Sequence, residues 1–254
     1  RPSRERRAEE REPPAAVPPE LLSTDEHHAY LVGRGEGGVQ PLAHITRGEV
    51  AAIWFRLLTD EARAAHWSTD DRYPDVGPAF WCRNAIATMT NAGVLRGDGQ
   101  GNFRPGDAIT RAEFTAAAVR FFQAPQAENG IPFSDVPASA WYAEAVRDGA
   151  ALGLITGGGD GAFRPNDPIT RAEAAAIVNR MLGRNPHSGA LPEHTAQWAD
   201  NPMDAWYYGD MLEATVSHTC EWLEGESTEH WTGPLETRDW NALERFGPDG
   251  AARA

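Results

Sequence analysis

A four-residue motif, Thr-Arg-(Ala/Gly)-Glu, occurs three times in this chain of 254 residues, at positions 46–49, 110–113 and 170–173. Each copy follows an isoleucine and precedes an apolar segment with helical spacing. The Thr and the Glu have the spacing of a capping box, in which each side chain accepts a backbone hydrogen bond at the start of a helix. Such repetition indicates an array of one supersecondary unit, because a short unit buries its apolar face only by stacking on its neighbours.

The two central copies of the unit repeat at an offset of 60 residues. The matched features are an Asp, a Trp and a glycine-rich segment that ends in Phe-Arg-Pro, at Asp75 and Asp135, Trp81 and Trp141, and 97–105 and 157–165. One unit is therefore predicted to contain a first helix that begins near the Trp, a tight turn and a second helix capped by Thr. Glycine suits the turn because it adopts positive φ freely.

The two ends of the chain carry half-units. The N-terminal copy has only the glycine-rich segment 33–41 and a helix from Thr46 to about Leu58, whereas the C-terminal copy has only Asp200 and Trp206 with the helix that follows. We therefore expect the C-terminal helix to dock against the N-terminal one. The predicted fold is all-α, with three helical-hairpin units closed into a three-lobed prism, loops and a short C-terminal extension.

Six segments make up the predicted organisation. They are a linker or tail (1–28), the second half of unit 1 (29–72), unit 2 (73–125), unit 3 (131–184), the half-unit that completes unit 1 (196–218) and a C-terminal extension (219–254). The first 20 residues mix Arg, Glu and Pro with few apolar residues, which is typical of a solvated linker. In the extension, residues 238–246 are predicted to form a short closing helix whose Trp and Leu cover the prism.

Composition excludes several classes of partner. The formal net charge of -14 argues against nucleic acid and against an anionic membrane surface. No apolar segment approaches the roughly 20 residues that span a bilayer, so we expect no membrane insertion.

The chain has neither a starting Met nor a signal peptide, as expected for a mature protein or an excised fragment. Cys82 and Cys220 are too few for a disulfide scaffold, and whether they pair stays open.

Together, the Asp-Val…Trp-Tyr, Gly-x-Gly-x-Gly-x-Phe-Arg-Pro and Ile-Thr-Arg-Ala-Glu motifs resemble those of S-layer homology domains, over about residues 29–218. The resemblance implies a non-covalent anchor at the cell wall, outside a bacterial cell. Its partner would be a secondary polymer linked to peptidoglycan, typically with pyruvylated N-acetylmannosamine, and other surface-layer proteins are a further possible partner. The family's main ligand contact is the Arg of the four-residue motif, which corresponds here to Arg47, Arg111 and Arg171.

An Arg at the first position of a helix has two open explanations. The helix N-terminus favours anions, so an exposed cation there is unfavourable by about 0.3–1 kcal/mol. A bound carboxylate, such as that of a pyruvate ketal, would compensate by accepting from the guanidinium and the free N–H groups. Alternatively, each Arg pairs with a Glu or Asp of the neighbouring unit and only holds the ring together.

The remaining candidates fall into two groups. Expected glycan contacts are tryptophans, turn glycines and the Asp of each unit: Trp81, Trp141, Trp206, Gly97, Gly157, Asp75, Asp135 and Asp200. Expected structural caps are Thr46, Thr110, Thr170, Glu49, Glu113 and Glu173. Aromatic rings stack on the apolar faces of sugars, but a core position at the helix seam is an equal alternative for each Trp.

Other chemistry finds little support. The glycine-rich turns lack the Gly-Lys-Ser/Thr of a phosphate loop and the alternating Asp residues of a calcium loop. The eight histidines show no metal spacing that recurs with the repeat, so we expect surface or incidental positions, no metal and no cofactor. Carboxylates recur with the repeat rather than as one unique acid–base pair. Cell-wall glycan binding is therefore the main hypothesis, a structural or protein–protein surface-layer module the alternative, and a polysaccharide-active enzyme the weakest, with no catalytic residue predicted.

Overall fold

The computed structural model describes residues 19–35, 37–122, 130–186, 191–192, 195, 197–224, 226 and 228–247. Within them lie eight helices and one antiparallel two-stranded sheet. The elements are α1 (Arg47–Leu57), α2 (Asp60–His66), α3 (Arg83–Asn91), α4 (Arg111–Val119), α5 (Ala143–Ala151), α6 (Arg171–Met181), α7 (Tyr208–Thr215), β1 (His218–Trp222), β2 (Glu229–Pro234) and α8 (Trp240–Phe246). The fold is mostly helical, as predicted, but not all-α, because the β1–β2 hairpin lies in the predicted extension.

Helices α1, α4 and α6 each begin at the Arg of the repeated motif. At α4, the Thr110 hydroxyl accepts from the Glu113 N–H at 3.2 Å, and the Glu113 carboxylate accepts from the Thr110 N–H at 2.9 Å. The same reciprocal pair caps α1 and α6. Three helix starts are thus fixed by local side-chain chemistry.

Helices α3, α5 and α7 begin two residues after the Trp that was predicted to open them. Each Trp lies in the preceding turn and is exposed, by 55% at Trp81, 67% at Trp141 and 60% at Trp206. The next residue along the chain enters the core instead, as Tyr142 does with 8% exposure. The tryptophans therefore do not occupy the core position that sequence left as an alternative.

Each motif helix packs against the next helix of the other type: α1 on α3, α4 on α5 and α6 on α7. The prediction that the C-terminal helix docks on the N-terminal one is wrong, since α7 packs on α6. The loop before α1 makes the closing contact instead. The N–H groups of Tyr30 and Leu31 donate to the Ala214 carbonyl at 3.0 and 2.8 Å, and Asp200 accepts from the same loop.

The three isoleucines that precede the motif copies form a cycle of backbone hydrogen bonds. Ile45 donates to Ile169 at 3.1 Å, Ile169 donates to Ile109 at 3.0 Å, and Ile109 donates back to Ile45 at 3.1 Å. All three side chains are buried. Residues far apart in sequence are thereby joined at one centre, and the starts of α1, α4 and α6 lie beside it.

The chain ends contribute to the same body. Residues 1–18 of the predicted tail lie outside the described residues, but Leu22, which lies within the segment 1–28 assigned as linker or tail, is buried at 3% exposure. Helix α8 forms where a closing helix was predicted and packs on α1 and α3, with the Trp240 indole N–H donating to the Ala29 carbonyl at 2.8 Å. Of the helices in the described residues, none has the length and apolarity needed to cross a membrane.

Candidate functional site

Arg171, the first residue of α6, is 1% exposed, and all three of its nitrogens donate hydrogen bonds. Nε donates to the Val39 carbonyl at 2.8 Å, Nη2 to the Val32 carbonyl at 2.6 Å and Nη1 to the Glu49 carboxylate at 3.0 Å. Burial is the main cause that lowers the pKa of Arg171 to about 10, so it remains charged at neutral pH. Because Glu49 caps α1, this ion pair joins the third motif copy to the first.

Arg47, the first residue of α1, repeats this arrangement one unit further on. Nε donates to the Phe103 carbonyl at 2.7 Å, Nη2 to the Arg96 carbonyl at 2.8 Å and Nη1 to the Glu113 carboxylate at 3.2 Å. The residue is 5% exposed. Glu113 caps α4, so the first copy is joined to the second.

Arg111, the first residue of α4, completes the cycle but is less enclosed. Nε donates to the Phe163 carbonyl at 2.8 Å and Nη1 to the Glu173 carboxylate at 2.6 Å. Within the described part of the chain, Nη2 makes no hydrogen bond matching those of Arg47 and Arg171. The side chain is 16% exposed, against 6% for Arg47 and 1% for Arg171. Of the three motif arginines, Arg111 therefore keeps a donor available.

A cavity of about 300 Å³ lies beside Arg111. Three guanidinium side chains line it, those of Arg111, Arg164 and Arg180, together with the carboxylates of Asp167 and Glu173. The lining thus has one more cation than anion, although the whole chain has a net charge of -14. A local excess of guanidinium groups favours an anionic ligand, above all one whose planar carboxylate matches the guanidinium fork.

Trp206 and two turn glycines, Gly157 and Gly158, also line the cavity. A Cβ on Gly157 would stand 2.6 Å from Cε1 of Phe133, so only glycine lets this turn pack against the ring. Gly158 brings a second stretch of backbone to the same surface. The cavity therefore combines cations, an exposed indole and accessible backbone, which are the groups that bind acidic sugars.

The three Asp residues predicted as glycan contacts each hold the backbone of the segment that follows a glycine-rich turn, which is Phe-Arg-Pro in the second and third units. Asp135 accepts from the N–H groups of Phe163 and Arg164, both at 2.7 Å, and Arg164 has a φ of 57°. Burial acts to raise the pKa of Asp135, but these N–H donors hold it below its usual value. The counterparts are Asp75 with Phe103 and Arg104, and Asp200 with Val39 and Gln40.

Each Asp thereby supports a motif Arg indirectly. The residue whose N–H binds Asp135 is Phe163, and its carbonyl accepts from Arg111. Gly97 has the same role in the second unit as Gly157 in the third, since a Cβ there would stand 2.7 Å from Cε1 of Tyr73. These residues shape the site more than they present free polar atoms to a ligand.

Two of the cavity's arginines, Arg164 and Arg180, were not among the candidates from sequence. A signal for them exists, because Arg104 and Arg120 precede them at the same offset of 60 residues. Sequence reasoning used the Arg of Phe-Arg-Pro only as a landmark. Arg180 lies on α6 and its Nη1 donates to the Leu154 carbonyl at 3.0 Å, as Arg120 donates to Val94 at 2.7 Å.

Two of the histidines are buried, which differs from the predicted surface positions. His27 and His218 are only 6% and 2% exposed, and they contact each other where the N-terminal segment meets β1. Cys82 and Cys220, whose pairing the sequence left open, are both free thiols. Cys220 lies on β1 beside His27, whereas Cys82 lies in the core.

Residues 72–115 and 132–175 match the S-layer homology domain. The two matches run from the turn before α3 to the first turn of α4, and from the turn before α5 to the first turn of α6. The chain contains S-layer homology domains. The matches contain Arg111, which lines the cavity, and Asp135, which holds the segment that binds Arg111, whereas Trp206 lies outside both.

Known proteins extend the similarity. The chain is 32% identical over 205 residues to "Cell surface glycoprotein 1" of Acetivibrio thermocellus, across 76% of this chain and 9% of the relative. It is 32% identical over 206 residues to the "Cellulosome-anchoring protein" of the same organism, across 79% of this chain and 45% of the relative. It is 37% identical over 154 residues to an "Amylopullulanase" of Thermoanaerobacterium thermosulfurigenes, across 58% of this chain and 8% of the relative. The chain therefore spans less than half of each relative.

Proposed function

We propose that this chain is a non-covalent cell-wall anchoring module that binds a carboxylate-bearing glycan in the cavity beside Arg111. The proposal rests on Nη2 of Arg111, which lacks the carbonyl partner that its counterparts in Arg47 and Arg171 have. The cavity beside it is also lined by Arg164, Arg180 and the exposed Trp206. A pyruvate ketal presents one carboxylate to a guanidinium, and the sugar that bears it presents an apolar face to an indole. We therefore favour a pyruvylated secondary cell-wall polymer as the ligand.

The setting follows from the family and the contacts. S-layer homology domains and relatives named for the cell surface and for anchoring support a location at the cell wall, outside the cell. The cycles of isoleucine hydrogen bonds and Arg–Glu pairs support a closed, three-lobed arrangement with up to three related grooves. Several weak sites on one polymer would increase overall affinity without covalent attachment.

A second function, internal cohesion, is favoured by the geometry of the other two motif arginines. Arg47 and Arg171 are almost fully buried and donate from every nitrogen to groups of the chain itself. We propose that Arg47 and Arg171 only hold the units together, whereas Arg111 both pairs with Glu173 and binds the ligand. We propose no catalytic role, since the carboxylates recur with the repeat and the segment shared with the amylopullulanase is 8% of that protein.

Sedimentation with purified cell-wall sacculi tests the proposal. Trp206→Ala removes an exposed ring of the cavity, and we expect binding to weaken at least about tenfold, equivalent to about 1.4 kcal/mol. Trp81→Ala is the matched control, because Trp81 is similarly exposed and precedes an equivalent helix but does not line the cavity beside Arg111. Sacculi stripped of pyruvate test the carboxylate, and wild type should bind them less than intact sacculi.

Three results would contradict the proposal at different points. Wild type that stays in solution with intact sacculi would argue against wall binding altogether. Equal loss from Trp206→Ala and Trp81→Ala would argue against the assignment to the Arg111 cavity. Equal binding to intact and stripped sacculi would leave wall binding in place and remove the carboxylate as its determinant.

A further inference from the structure

A cluster of metal-ligating side chains lies buried where the N-terminal segment meets α7 and the β1–β2 hairpin. Its members are His27, His218, Cys220, Glu213 and Glu229. The two carboxylate side chains are 0% exposed, and the histidine side chains are 7% and 2% exposed. None of the five lines the cavity beside Arg111, so the cluster is a separate feature of the molecule.

Two sets of three ligand atoms, which share His27, each lie within 4.8 Å of one another: those of His27, His218 and Cys220, and those of His27, Glu213 and Glu229. His27 Nδ1 lies 3.2 Å from His218 Nε2, 3.6 Å from a Glu229 carboxylate oxygen and 3.7 Å from Cys220 Sγ. A tetrahedral zinc with bonds of about 2.0–2.3 Å places neighbouring ligand atoms about 3.3–3.7 Å apart. The atoms of His27, His218 and Cys220 therefore need little movement to share one ion, and Glu229, which lies close to His27, would move to complete the set.

The surroundings of His218 prepare it as a ligand. Its Nδ1 lies 2.9 Å from the Val216 carbonyl and must carry the proton that this contact requires, which leaves Nε2 unprotonated in the neutral ring. Trp231 stacks on the ring at 3.5 Å with an interplanar angle of 14°, which fixes its orientation. A backbone carbonyl that sets the tautomer of a histidine is the usual support of a metal ligand.

Glu229 supplies the observation that asks for a cation. Within the described residues, neither of its carboxylate oxygens accepts a hydrogen bond, although the side chain is fully buried. Arg184 pairs with the other carboxylate, Glu213, at 3.2 Å, and among the described residues no arginine forms an ion pair with Glu229. A buried carboxylate without donors is strongly unfavourable, and burial together with the charge of Glu213 raises the pKa of Glu229. Either a proton or a coordinated metal ion would remove the cost.

We propose that His27, His218, Cys220 and Glu229 bind one zinc ion, with Glu213 as a neighbouring carboxylate held by Arg184. Nitrogen, sulfur and oxygen ligands together suit zinc, and four protein ligands leave no open position for a reacting water. The site is therefore structural. His27 and His218 are 191 residues apart, so the ion would fasten the N-terminal segment to the C-terminal hairpin.

A metal-free hydrogen-bond network is the competing explanation. Glu213 lies 2.9 Å from His27 Nδ1 and 3.1 Å from His218 Nε2, so a protonated imidazole can be shared between these groups. Cys220 Sγ lies 3.5 Å from His27 Nε2 and Glu229 lies 3.6 Å from His27 Nδ1, so the metal-free network can include both side chains. The two explanations therefore differ in whether the folded chain binds zinc, and this difference directs the experiment.

The test uses the purified full chain after treatment with a chelator and dialysis. Zinc chloride is titrated by calorimetry, and bound zinc is counted by mass spectrometry of the metal; we expect one zinc per chain and a higher thermal unfolding midpoint. Cobalt(II) substitution reports the ligands, because a thiolate ligand adds a charge-transfer absorption band. That band should be lost in Cys220→Ala and kept in Cys82→Ala, the variant of the only other cysteine.

Glu229→Gln keeps the shape of the side chain and should weaken zinc binding at least tenfold. Folded wild type that binds no zinc at micromolar concentrations would overturn the proposal, and this measurement needs no variant to fold. Zinc binding of wild-type affinity in both Cys220→Ala and Glu229→Gln would overturn it equally. Neither result bears on glycan binding beside Arg111, which sedimentation with sacculi measures separately.

Discussion

Arg171 and Arg111 occupy the same position of the repeated motif, and each pairs with the capping Glu of another motif copy. The hydrogen bonds that the two guanidinium groups make are different. At Arg171 every guanidinium nitrogen donates to the chain, and Glu49 also accepts from Arg34. At Arg111, Nη2 lacks the backbone carbonyl that accepts from Nη2 of Arg47 and of Arg171, and a cavity lies beside it. The identity of the motif residue therefore does not decide its role, which depends on the segment that packs against it.

The difference comes from the segments that close the molecule. Position 34 holds an Arg where the second and third units have Asp98 and Gly158, and it adds a second cation to Glu49. Helix α8 adds Glu244, which lies 2.6 Å from Arg56. The joint between the first and last units thus carries additional ion pairs, as expected where the chain ends must be held together without a peptide link.

The largest expected effect is the loss of folding stability in Arg171→Ala. Removing one partner of a buried ion pair leaves the other uncompensated, so we expect the free energy of unfolding to fall by about 3–5 kcal/mol. Arg111→Ala, whose side chain is more exposed and makes fewer hydrogen bonds, should lose about 1–2 kcal/mol. Urea denaturation followed by circular dichroism measures both. Equal losses would show that the two arginines are energetically alike despite their contacts.

An intermediate loss of folding stability is expected from Asp200→Ala, because Asp200 and Arg171 both bind the backbone of Val39. The Val39 N–H donates to Asp200 while the Val39 carbonyl accepts from Arg171. Asp200→Ala should cost about 2 kcal/mol, since it leaves two N–H groups without a charged acceptor. In double-mutant cycles it should couple to Arg171→Ala by about 0.5 kcal/mol or more, and add to Arg111→Ala within about 0.5 kcal/mol. If the stability loss of Asp200→Ala were additive with that of Arg171→Ala as well as with that of Arg111→Ala, Val39 would not couple Asp200 to Arg171.

The parts of this fold that sequence predicted are those set by local chemistry. The offset of 60 residues and the Thr-Arg-Ala-Glu capping box identified the repeat and the starts of α4 and α6, because a helix cap depends on residues three apart. The positive φ of Gly99, Gly101 and Gly161 agrees with the tight turns expected there. The boundaries assigned to the units stay a prediction.

The parts that sequence missed depend on contacts between distant residues. The β1–β2 hairpin has no clear alternation of apolar and polar residues, and its pairing is irregular between Thr219 and Cys220. His27 and His218 are 191 residues apart, and no repeat links them. Which of the three motif arginines keeps an available donor also depends on distant segments, since the carbonyls that bind Arg171 come from residues more than 130 positions away.

The smallest expected effect is a pH dependence that originates at Glu49. Burial acts to raise the pKa of Glu49, but hydrogen bonds from Arg34 and from the Thr46 N–H, with the charges of Arg34 and Arg171, hold it below its usual value. A carboxyl whose pKa is lower in the folded state stabilises the fold fully above its unfolded pKa of about 4.3. That contribution is lost as the pH falls through the folded pKa.

Glu49→Gln should therefore be less stable than wild type by about 1–2 kcal/mol at pH 7, and the gap should narrow below about pH 4. Urea midpoints at pH 7, 5, 4 and 3 measure the gap. Arg34→Ala is the control, because it removes the strongest of the interactions that lower this pKa and should make the narrowing smaller. If the stability difference between wild type and Glu49→Gln stayed constant from pH 7 to pH 3, Glu49 would act through its shape as a helix cap. Its ion pair with Arg34 would then contribute no charge stabilisation.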